Sequence, residues 1–381
     1  MSIELPGGRL GLLGGGQLAR MTAMAARHFG LSVSVLDPQA SCAAAGVSDR
    51  VLCASFDDPV AAADLARGCA AVTWDTEQIS SAAVQAAARE AVVRPGPAVL
   101  ALVSDRIAQK SWLEAHGFPL PRWAPARSAA ELQAARATLG RCRAKSATGG
   151  YDGRGQEKLG PHSGNEEVFA RLGACVVEEE VSLELELSVL VARGVGGELR
   201  VFPLARNWHV EGILHRTLLP AGLDQGLEQR AVEMARALAE QLELVGLLTV
   251  ELFVDSAGRL LVNEVAARTH NTFHGTVECC ATSQFEQLVR AVCGLPLGST
   301  ELRTRSVLVN LLGDEWSGAE PPNFPAVLEL PGVALHLYGK APRAGRKVGH
   351  LVVTGAGEDD LLARADEALR RLRTGRQEPR G

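Results

Sequence analysis

Residues 9–37 constrain the fold most. They read as an apolar strand (RLGLL), a turn of three glycines (Gly14, Gly15 and Gly16), an amphipathic helix (QLARMTAMAARHF) ended by Gly30, and a second apolar strand (LSVSVLD) closing on Asp37 and Pro38. A strand–turn–helix–strand run of this length joins parallel neighbours, and a parallel sheet needs helices over its faces. ARGCAAVTWD then supplies a further strand, and SSAAVQAAAREAVVRPGP a further helix that runs into Pro/Gly punctuation. The expectation is a Rossmann-like α/β unit over residues 1–97.

The rest of the chain changes character. Helices are expected around residues 98–116, followed by the Pro-rich GFPLPRW. Strands then dominate to about residue 298: RCRAKS, ACVVEEE, LELSVLVARG and GLLTVELFVDSAGRLLVNEVAAR, the last folding as a hairpin about residues 255–258. SVLVNLLG opens a smaller unit over residues 299–381 that ends in the charged helix EDDLLARADEALRRLR. At 381 residues, two or three domains are the prior.

Composition removes several function classes. A net charge of −5 gives no basic face for nucleic acid. No apolar run approaches the roughly 18–20 residues that span a bilayer. Eight cysteines without C-x-x-C spacing, set in apolar surroundings, suit a reducing cytoplasm better than disulfides or zinc. Of 39 basic residues only five are lysines: Lys110, Lys145, Lys158, Lys340 and Lys347. A chain that nearly always uses arginine keeps lysine where a compact ammonium is wanted.

Residues 145–156, KSATGGYDGRGQ, carry the strongest chemical signal. Four glycines (Gly149, Gly150, Gly153, Gly155) leave the backbone N–H groups open to phosphate oxygens, with Lys145 upstream and Tyr151, Asp152, Arg154 and Gln156 beside them. A nucleotide flap is one reading; a glycine-rich hairpin with solvated charges is the other. The first glycine turn adds a competitor. GGGQLA satisfies G-x-G-x-x-A, and Asp37 ends the next strand, as in dinucleotide-binding oxidoreductases. Any anion at a helix N-terminus fits the same turn.

Carboxylates shift the balance towards a metal–nucleotide. If Val254 pairs with Arg259 in the hairpin, Glu251 faces Val262, and Glu264 lies diagonally on the same face. Two acids on apolar strands repel unless a cation sits between them, and Mg²⁺ bridging phosphates meets that need, with Asn263 adding a neutral oxygen if the strand bends. Glu178 and Glu186 fall in VVEEEVSLELELS, either a solvated strand edge or the hinge of a nucleotide site. ARTHNTFHGT brings Arg268, His270, Asn271, Thr272 and His274 directly after the hairpin. Two histidines four apart lack a third zinc ligand at sensible spacing, so a polar cluster for an anionic substrate is the better reading. Lys340, Arg343, Arg346 and Lys347 form a basic loop, solvated or phosphate-binding.

Taken in order, GGGQLARM, VTWDTEQI, SDRIAQK, KSATGGYDGRGQ, VEEEVSLELELSVLVARG, NEVAARTHN, TSQFEQLVRAVCGLPLG and GRKVGHL resemble the N5-carboxyaminoimidazole ribonucleotide synthetase family (PurK type) of ATP-grasp ligases along nearly the whole chain. The resemblance implies an ATP-grasp domain over residues 98–298 between the Rossmann-like domain and the small C-terminal one. It implies ATP on Arg106, Lys145, residues 150–156, Glu178 and Glu186, reaching Asn263 and Glu264, with Mg²⁺ (or Mn²⁺) on Glu251 and Glu264. Aminoimidazole ribonucleotide would meet Gln17, Leu18, Glu77, Tyr151, Arg154, His270, Asn271 and Thr272, its phosphate held by Lys340, Arg346 and Lys347. Catalysis would fall to Asp152, Arg268 and His270, with either Asp152 or His270 taking the amine proton. The implied reaction joins bicarbonate to that amine, in the cytoplasm and in a homodimer, without nucleic-acid or membrane partners. The chain departs from the family pattern at Ala19, at Asp75 and Thr76 before Glu77, at Ala267, and at Thr272-Phe273, where Phe273 is expected to add bulk beside the ribonucleotide.

Overall fold

The computed structural model describes residues 5–150, 155–160, 163–316 and 321–373. The N-terminal unit comprises β1 (Arg9–Leu13), α1 (Gln17–His28), β2 (Ser32–Asp37), β3 (Arg50–Cys53), α2 (Pro59–Ala66), β4 (Ala71–Trp74) and α3 (Ser81–Glu90). Its four strands are all parallel, in the order β3-β2-β1-β4. The sequence rhythm anticipates β1, β2 and β4, but not β3 or α2. β3 is a four-residue edge strand that is only half covered. α2 carries its own start signal: Asp58 accepts from the amides of Val60 and Ala61, and Pro59 opens the helix.

Gly14 is required by the turn before α1. Its φ is +101°, and a Cβ there would lie 1.7 Å from Oδ1 of Asp75. Gly14→Ala is expected to cost about 2 kcal/mol, within the range for a residue forced into a sparsely populated conformation. Thermal unfolding measures it; an unchanged Tm would refute the close approach.

The second unit begins with two helices, α4 (Pro97–Val103) and α5 (Arg106–Ala115), broken where Asp105 caps α5 through the amides of Ile107 and Ala108. β5 (Trp123–Ala126), α6 (Ala129–Leu139), β6 (Cys142–Ser146), β7 (Gln156–Leu159), α7 (Asn165–Leu172) and β8 (Cys175–Glu179) follow. Their strands form a small antiparallel sheet, β5-β8-β6-β7, with its own core around Leu132, Ala144, Val168 and Val177.

Next come β9 (Leu183–Arg193), β10 (Leu199–Val201), β11 (Ala205–Val210), β12 (Ile213–Leu219), α8 (Gln225–Gln241), β13 (Gly246–Asp255), β14 (Leu260–Ala266), α9 (Thr276–Cys279) and α10 (Gln284–Val292). The chain closes with β15 (Arg305–Leu312), α11 (Phe324–Leu328), β16 (Val333–Leu337), β17 (Lys347–Gly355) and α12 (Glu358–Arg373). All nine strands lie in one antiparallel sheet, β14-β13-β9-β11-β12-β15-β17-β16, with β10 beside β9. Residues after 299 therefore extend the existing sheet, because β15 pairs with β12. Alternation on β9 covers both faces: Leu187, Val189 and Val191 join the core under α8, while Leu190 and Ala192 join that under α10. Among the described residues, no helix is long and apolar enough to cross a membrane.

The β13–β14 register differs from the sequence expectation. Val254 pairs with Leu260, Leu252 with Val262, and Glu251 directly with Glu264. The shift between Glu251 and Leu252 is a bulge that leaves Asn263 as the extra residue on β14. The turn causes the first offset: Asp255 accepts from the amides of Ala257 and Arg259, so the turn takes up Arg259.

Candidate active site

The site gathers where the small sheet, α5 and the edge of the large sheet meet. α5 presents Arg106, Gln109 and Lys110 at spacings of three, four and one, on the side towards both sheets. Arg106 donates to the carbonyls of Ser146 (3.0 Å) and Gly150 (2.9 Å), at the entry to the glycine loop, and lies 3.6 Å from Glu264. Lys110 and Lys145 each approach a different oxygen of Glu178 at 2.6 Å. Lys145 also donates to Asn263 Oδ1 at 3.0 Å, bridging the small sheet to the bulge of β14.

Glu178 is 4% exposed and Lys110 is 3% exposed. Burial alone would push the Glu178 carboxyl up, but the ammonium groups of Lys145 and Lys110 outweigh it and hold it at about 2. The VVEEE end of VVEEEVSLELELS is therefore no solvated edge at Glu178. Burial lowers Lys110 below the usual lysine value, despite its partner. Glu186, on β9, contacts His209 Nδ1 across the strand pair with β11. Burial disfavours the charged His209 ring, and the Glu186 carboxylate reverses this, raising its proton affinity.

The bulge aims Glu251, Asn263 and Glu264 into one cleft. Asn263 donates to Glu251 Oε2 (3.2 Å), and His270 Nε2 sits 3.1 Å from Glu251 Oε1. Burial raises the proton affinity of the Glu251 carboxyl, but His270 and then His209 outweigh it and hold it well below the usual range. Like charges directly opposite on paired strands are destabilising. A hard divalent cation would resolve that conflict, and a donor set of two carboxylates and an amide oxygen is one that suits Mg²⁺. Among the described residues no three His, Cys, Asp or Glu side chains form a ready cage.

A second cluster lies on the N-terminal unit. Arg268 pairs with Glu77 at 2.8 Å and donates to its neighbour's carbonyl, Thr269 O. Burial opposes the Arg268 charge, yet Glu77 and Asp75 raise its proton affinity overall. Asp75 accepts from the amides of Gly16 (2.9 Å) and Ala19 (3.2 Å), while Asp37 accepts from Gly15 (2.9 Å). The amides at the start of α1 that would receive a dinucleotide pyrophosphate are thus taken by the chain's own carboxylates. Burial pushes the Asp75 carboxyl up to about 6.

Lys340 donates to Gln17 Oε1, joining the C-terminal loop to the first glycine turn. Leu18 points into the core beneath α1 at 7% exposure, so only its backbone is offered to a ligand. Lys347 is buried at the start of β17, close enough to His209 and His274 to disfavour their protonation. Arg346 donates to Ala341 O (3.1 Å). Asn271 and Thr272 are buried, and both amide atoms of Asn271 lack a protein partner among the described residues. Gln156 pairs with Lys145 in the strand register, and Gly155 adopts φ +68° while accepting from Ser146 N. Tyr151, Asp152, Gly153 and Arg154 lie outside the described residues.

Phe273 does not stand where the sequence suggested. It is fully buried in the core under α10, 6.3 Å from Phe202 between ring centroids, and adds no bulk to the cleft. The 3-10 turn over Asn271–Phe273 rotates it inward. Residues the sequence reading passed over also matter. Gln109 and Lys110 show a signal, sharing the helix face of Arg106. His209 shows none, because it reaches Glu186 only through strand pairing. Gln284, fully buried, holds the backbone of His270.

Comparison with known proteins places this geometry. A family model of the ribonucleotide synthetase preATP-grasp domain matches residues 8–104, the ATP-grasp domain residues 111–285, and the phosphoribosylaminoimidazole carboxylase C-terminal domain residues 306–364. The N5-carboxyaminoimidazole ribonucleotide synthase of Brucella melitensis is 40% identical over 352 residues, 91% of this chain and 96% of that protein. The solved ADP complex of an N5-carboxyaminoimidazole ribonucleotide synthetase superposes with a TM-score of 0.91 at 38% identity, covering 97% of this chain and 98% of that one. The N5-carboxyaminoimidazole synthase of Aspergillus clavatus, solved with ADP and 5-aminoimidazole ribonucleotide, gives 0.87 at 28% identity, covering 96% and 98%. The fold is an ATP-grasp fold preceded by a parallel-sheet domain, and the chain belongs to the N5-carboxyaminoimidazole ribonucleotide synthase family of ATP-dependent ligases.

Proposed function

We propose that the protein uses ATP and bicarbonate to carboxylate the exocyclic amine of 5-aminoimidazole ribonucleotide. The observation that carries this reading is the convergence of Lys145, Asn263, Glu251 and Glu264 from two sheets on one cleft. Bicarbonate is a poor electrophile, so its oxygen is first phosphorylated by ATP. The amine then attacks the resulting carboxyphosphate or the CO₂ it releases.

Each residue's task follows. Lys145 and Arg106 neutralise charge on the transferring phosphoryl group and the entry to the glycine loop. Glu251 and Glu264 would hold Mg²⁺, which supplies further charge neutralisation when bound. Glu178 orients both lysines, one on each carboxylate oxygen. Glu186 and His209 line the ATP side. Arg268, fixed by Glu77, binds bicarbonate; Gln17, Lys340, Arg346 and Lys347 take the ribonucleotide end. His270 has Nε2 on Glu251 and no protein partner at Nδ1 among the described residues, so Nδ1 is the atom we assign to receive the amine proton. The reaction needs water kept from the site, because water would hydrolyse carboxyphosphate. Eight unpaired cysteines suit a reducing cytoplasm. A homodimer is the expected assembly, and light scattering tests it.

ADP formation by the purified chain with Mg²⁺, ATP and bicarbonate decides the function. Adding 5-aminoimidazole ribonucleotide is expected to raise the rate at least about tenfold, in line with binding energy from one substrate completing the site for another. A rate indifferent to the ribonucleotide but raised by another amine would give the ligase a different substrate.

A further inference from the structure

Three buried glutamines each grip one residue of main chain at two points. Gln109 accepts from Val265 N (2.9 Å) and donates to Val265 O (3.0 Å). Gln284 accepts from His270 N (2.8 Å) and donates to His270 O (2.8 Å). Gln287 accepts from Gly298 N (2.8 Å) and donates to Gly298 O (2.9 Å). They are 3%, 0% and 0% exposed. A carboxamide used in this way reproduces the paired exchange that an antiparallel partner strand makes with one residue.

The first two grips bracket the segment that carries Glu264, Arg268 and His270. β14 is the edge of the large sheet, so its outward N–H and C=O groups have no strand partner. α5 supplies one instead, through Gln109 at Val265 and through Lys110, which donates to Val262 O at 3.4 Å. Val262 N donates to Pro119 O. The bulge that turns Asn263 and Glu264 to the same face as Glu251 is therefore pinned on both sides. A bulged edge strand without such pins can slip by one residue, and a slip of one sends Glu264 to the opposite face. At the far end, Gln284 fixes the peptide of His270 and reaches His274 Nδ1 at 3.1 Å. This sets where the His270 ring meets Glu251. Gln287 has the same burial and the same grip, but holds Gly298, away from the cleft.

We propose that Gln109 and Gln284 are positioning residues with separate duties: Gln109 sets the metal carboxylate Glu264, and Gln284 sets His270 towards the ribonucleotide. The proposal rests on the site assignment made above. Gln287 is the internal control, a structural grip with no bearing on ligands.

The test uses the full chain and its Gln109→Met, Gln284→Met and Gln287→Met variants, each close in volume to the wild type. Thermal unfolding is followed while Mg²⁺ is titrated at fixed ATP, and separately while 5-aminoimidazole ribonucleotide is titrated. Gln109→Met is expected to raise the Mg²⁺ concentration for half-maximal stabilisation by about tenfold, the lower end for losing a group that orients a metal ligand. Its response to the ribonucleotide should stay within about twofold. Gln284→Met should do the reverse, and kcat should fall with it. Gln287→Met should lower Tm and move neither titration. Equal effects from all three variants, or no change in either titration, would overturn the proposal.

If Gln109→Met does not fold, amide exchange in the wild type decides. The Val265 N–H, facing outward on an edge strand, should be protected as strongly as the inward amides of β14; rapid exchange there would overturn the grip. A wild type that ignores the ribonucleotide would defeat the assigned substrate, while the Mg²⁺ titration and the exchange measurement would still decide the role of Gln109.

Discussion

Glu264→Gln is expected to lower ADP formation by 10²- to 10³-fold, the loss of about 2.7–4 kcal/mol of barrier stabilisation seen when one electrostatic stabiliser is removed from a reacting centre. Its effect on stability should have the opposite sense. Glu251 and Glu264 are direct partners across β13 and β14, and two carboxylates so placed repel when no cation lies between them. The amide removes that repulsion. What it gives up is the 3.6 Å approach of Arg106 to a side chain about a third exposed, an interaction worth under about 1 kcal/mol. Without ligand, Tm should therefore hold or rise; with Mg²⁺ and ATP, the variant should gain much less than the wild type. This crossing of the two effects separates a metal carboxylate from a structural one, whose loss would lower Tm and activity together. A variant that keeps near-full ADP formation, or loses Tm in proportion to activity, would remove Glu264 from the metal site. Glu251→Gln makes a useful contrast. It relieves the same repulsion but also takes the carboxylate from His270 Nε2 and Asn263, so its unliganded Tm should not rise.

Much of this site was legible before the fold was known, for reasons that differ by residue. Lys145, Glu178, Asn263 and Glu264 lie in short motifs whose residue types already state a chemistry. The scarcity of lysine was informative too: four of the five lysines (Lys110, Lys145, Lys340 and Lys347) bear on the site, and only Lys158 stands on an exposed strand, paired with Glu180. The sequence pattern specifies the hairpin but not its register. Pairing arithmetic assumes an unbroken ladder, and one bulged residue turned a diagonal pair of acids into an opposed one. Phe273 turns away from the cleft, because adjacency in sequence to His270 and His274 says nothing about which way a 3-10 turn points each side chain. His209 was out of reach altogether, since strand order brings β11 beside β9 and no local pattern reports strand order. The glycine turn before α1 illustrates the converse. Its pattern suited a dinucleotide, but Asp37 and Asp75, 22 and 59 residues away from the amides they occupy, decide otherwise.

Glu178→Gln is expected to destabilise the protein by about 3–5 kcal/mol, the cost of breaking a buried ion pair from one side. The cause is Lys110, which is 3% exposed and would keep its ammonium without a counter-charge. A loss of that size corresponds to a Tm lower by roughly 6–20 °C in a unit of about 200 residues. Acid unfolding gives an independent measure. The Glu178 carboxyl is held at about 2 in the folded chain against an ordinary 4.5. A depressed carboxyl contributes stability that is fully present above its unfolded value and lost as pH falls through its folded one. The wild type should therefore lose about 3 kcal/mol between pH 4.5 and 2 through this group, and Glu178→Gln should lack that step. The double variant Lys110→Met with Glu178→Leu separates stability from function. Apolar side chains of similar volume in place of a buried pair are often neutral or stabilising, so Tm should recover. Stabilisation by ATP should not, because Lys145 has then lost the carboxylate that anchors it between the small sheet and Asn263. Recovery of both together would show that the buried pair serves the fold alone, and recovery of neither would show that the packing around Glu178 admits no apolar substitute.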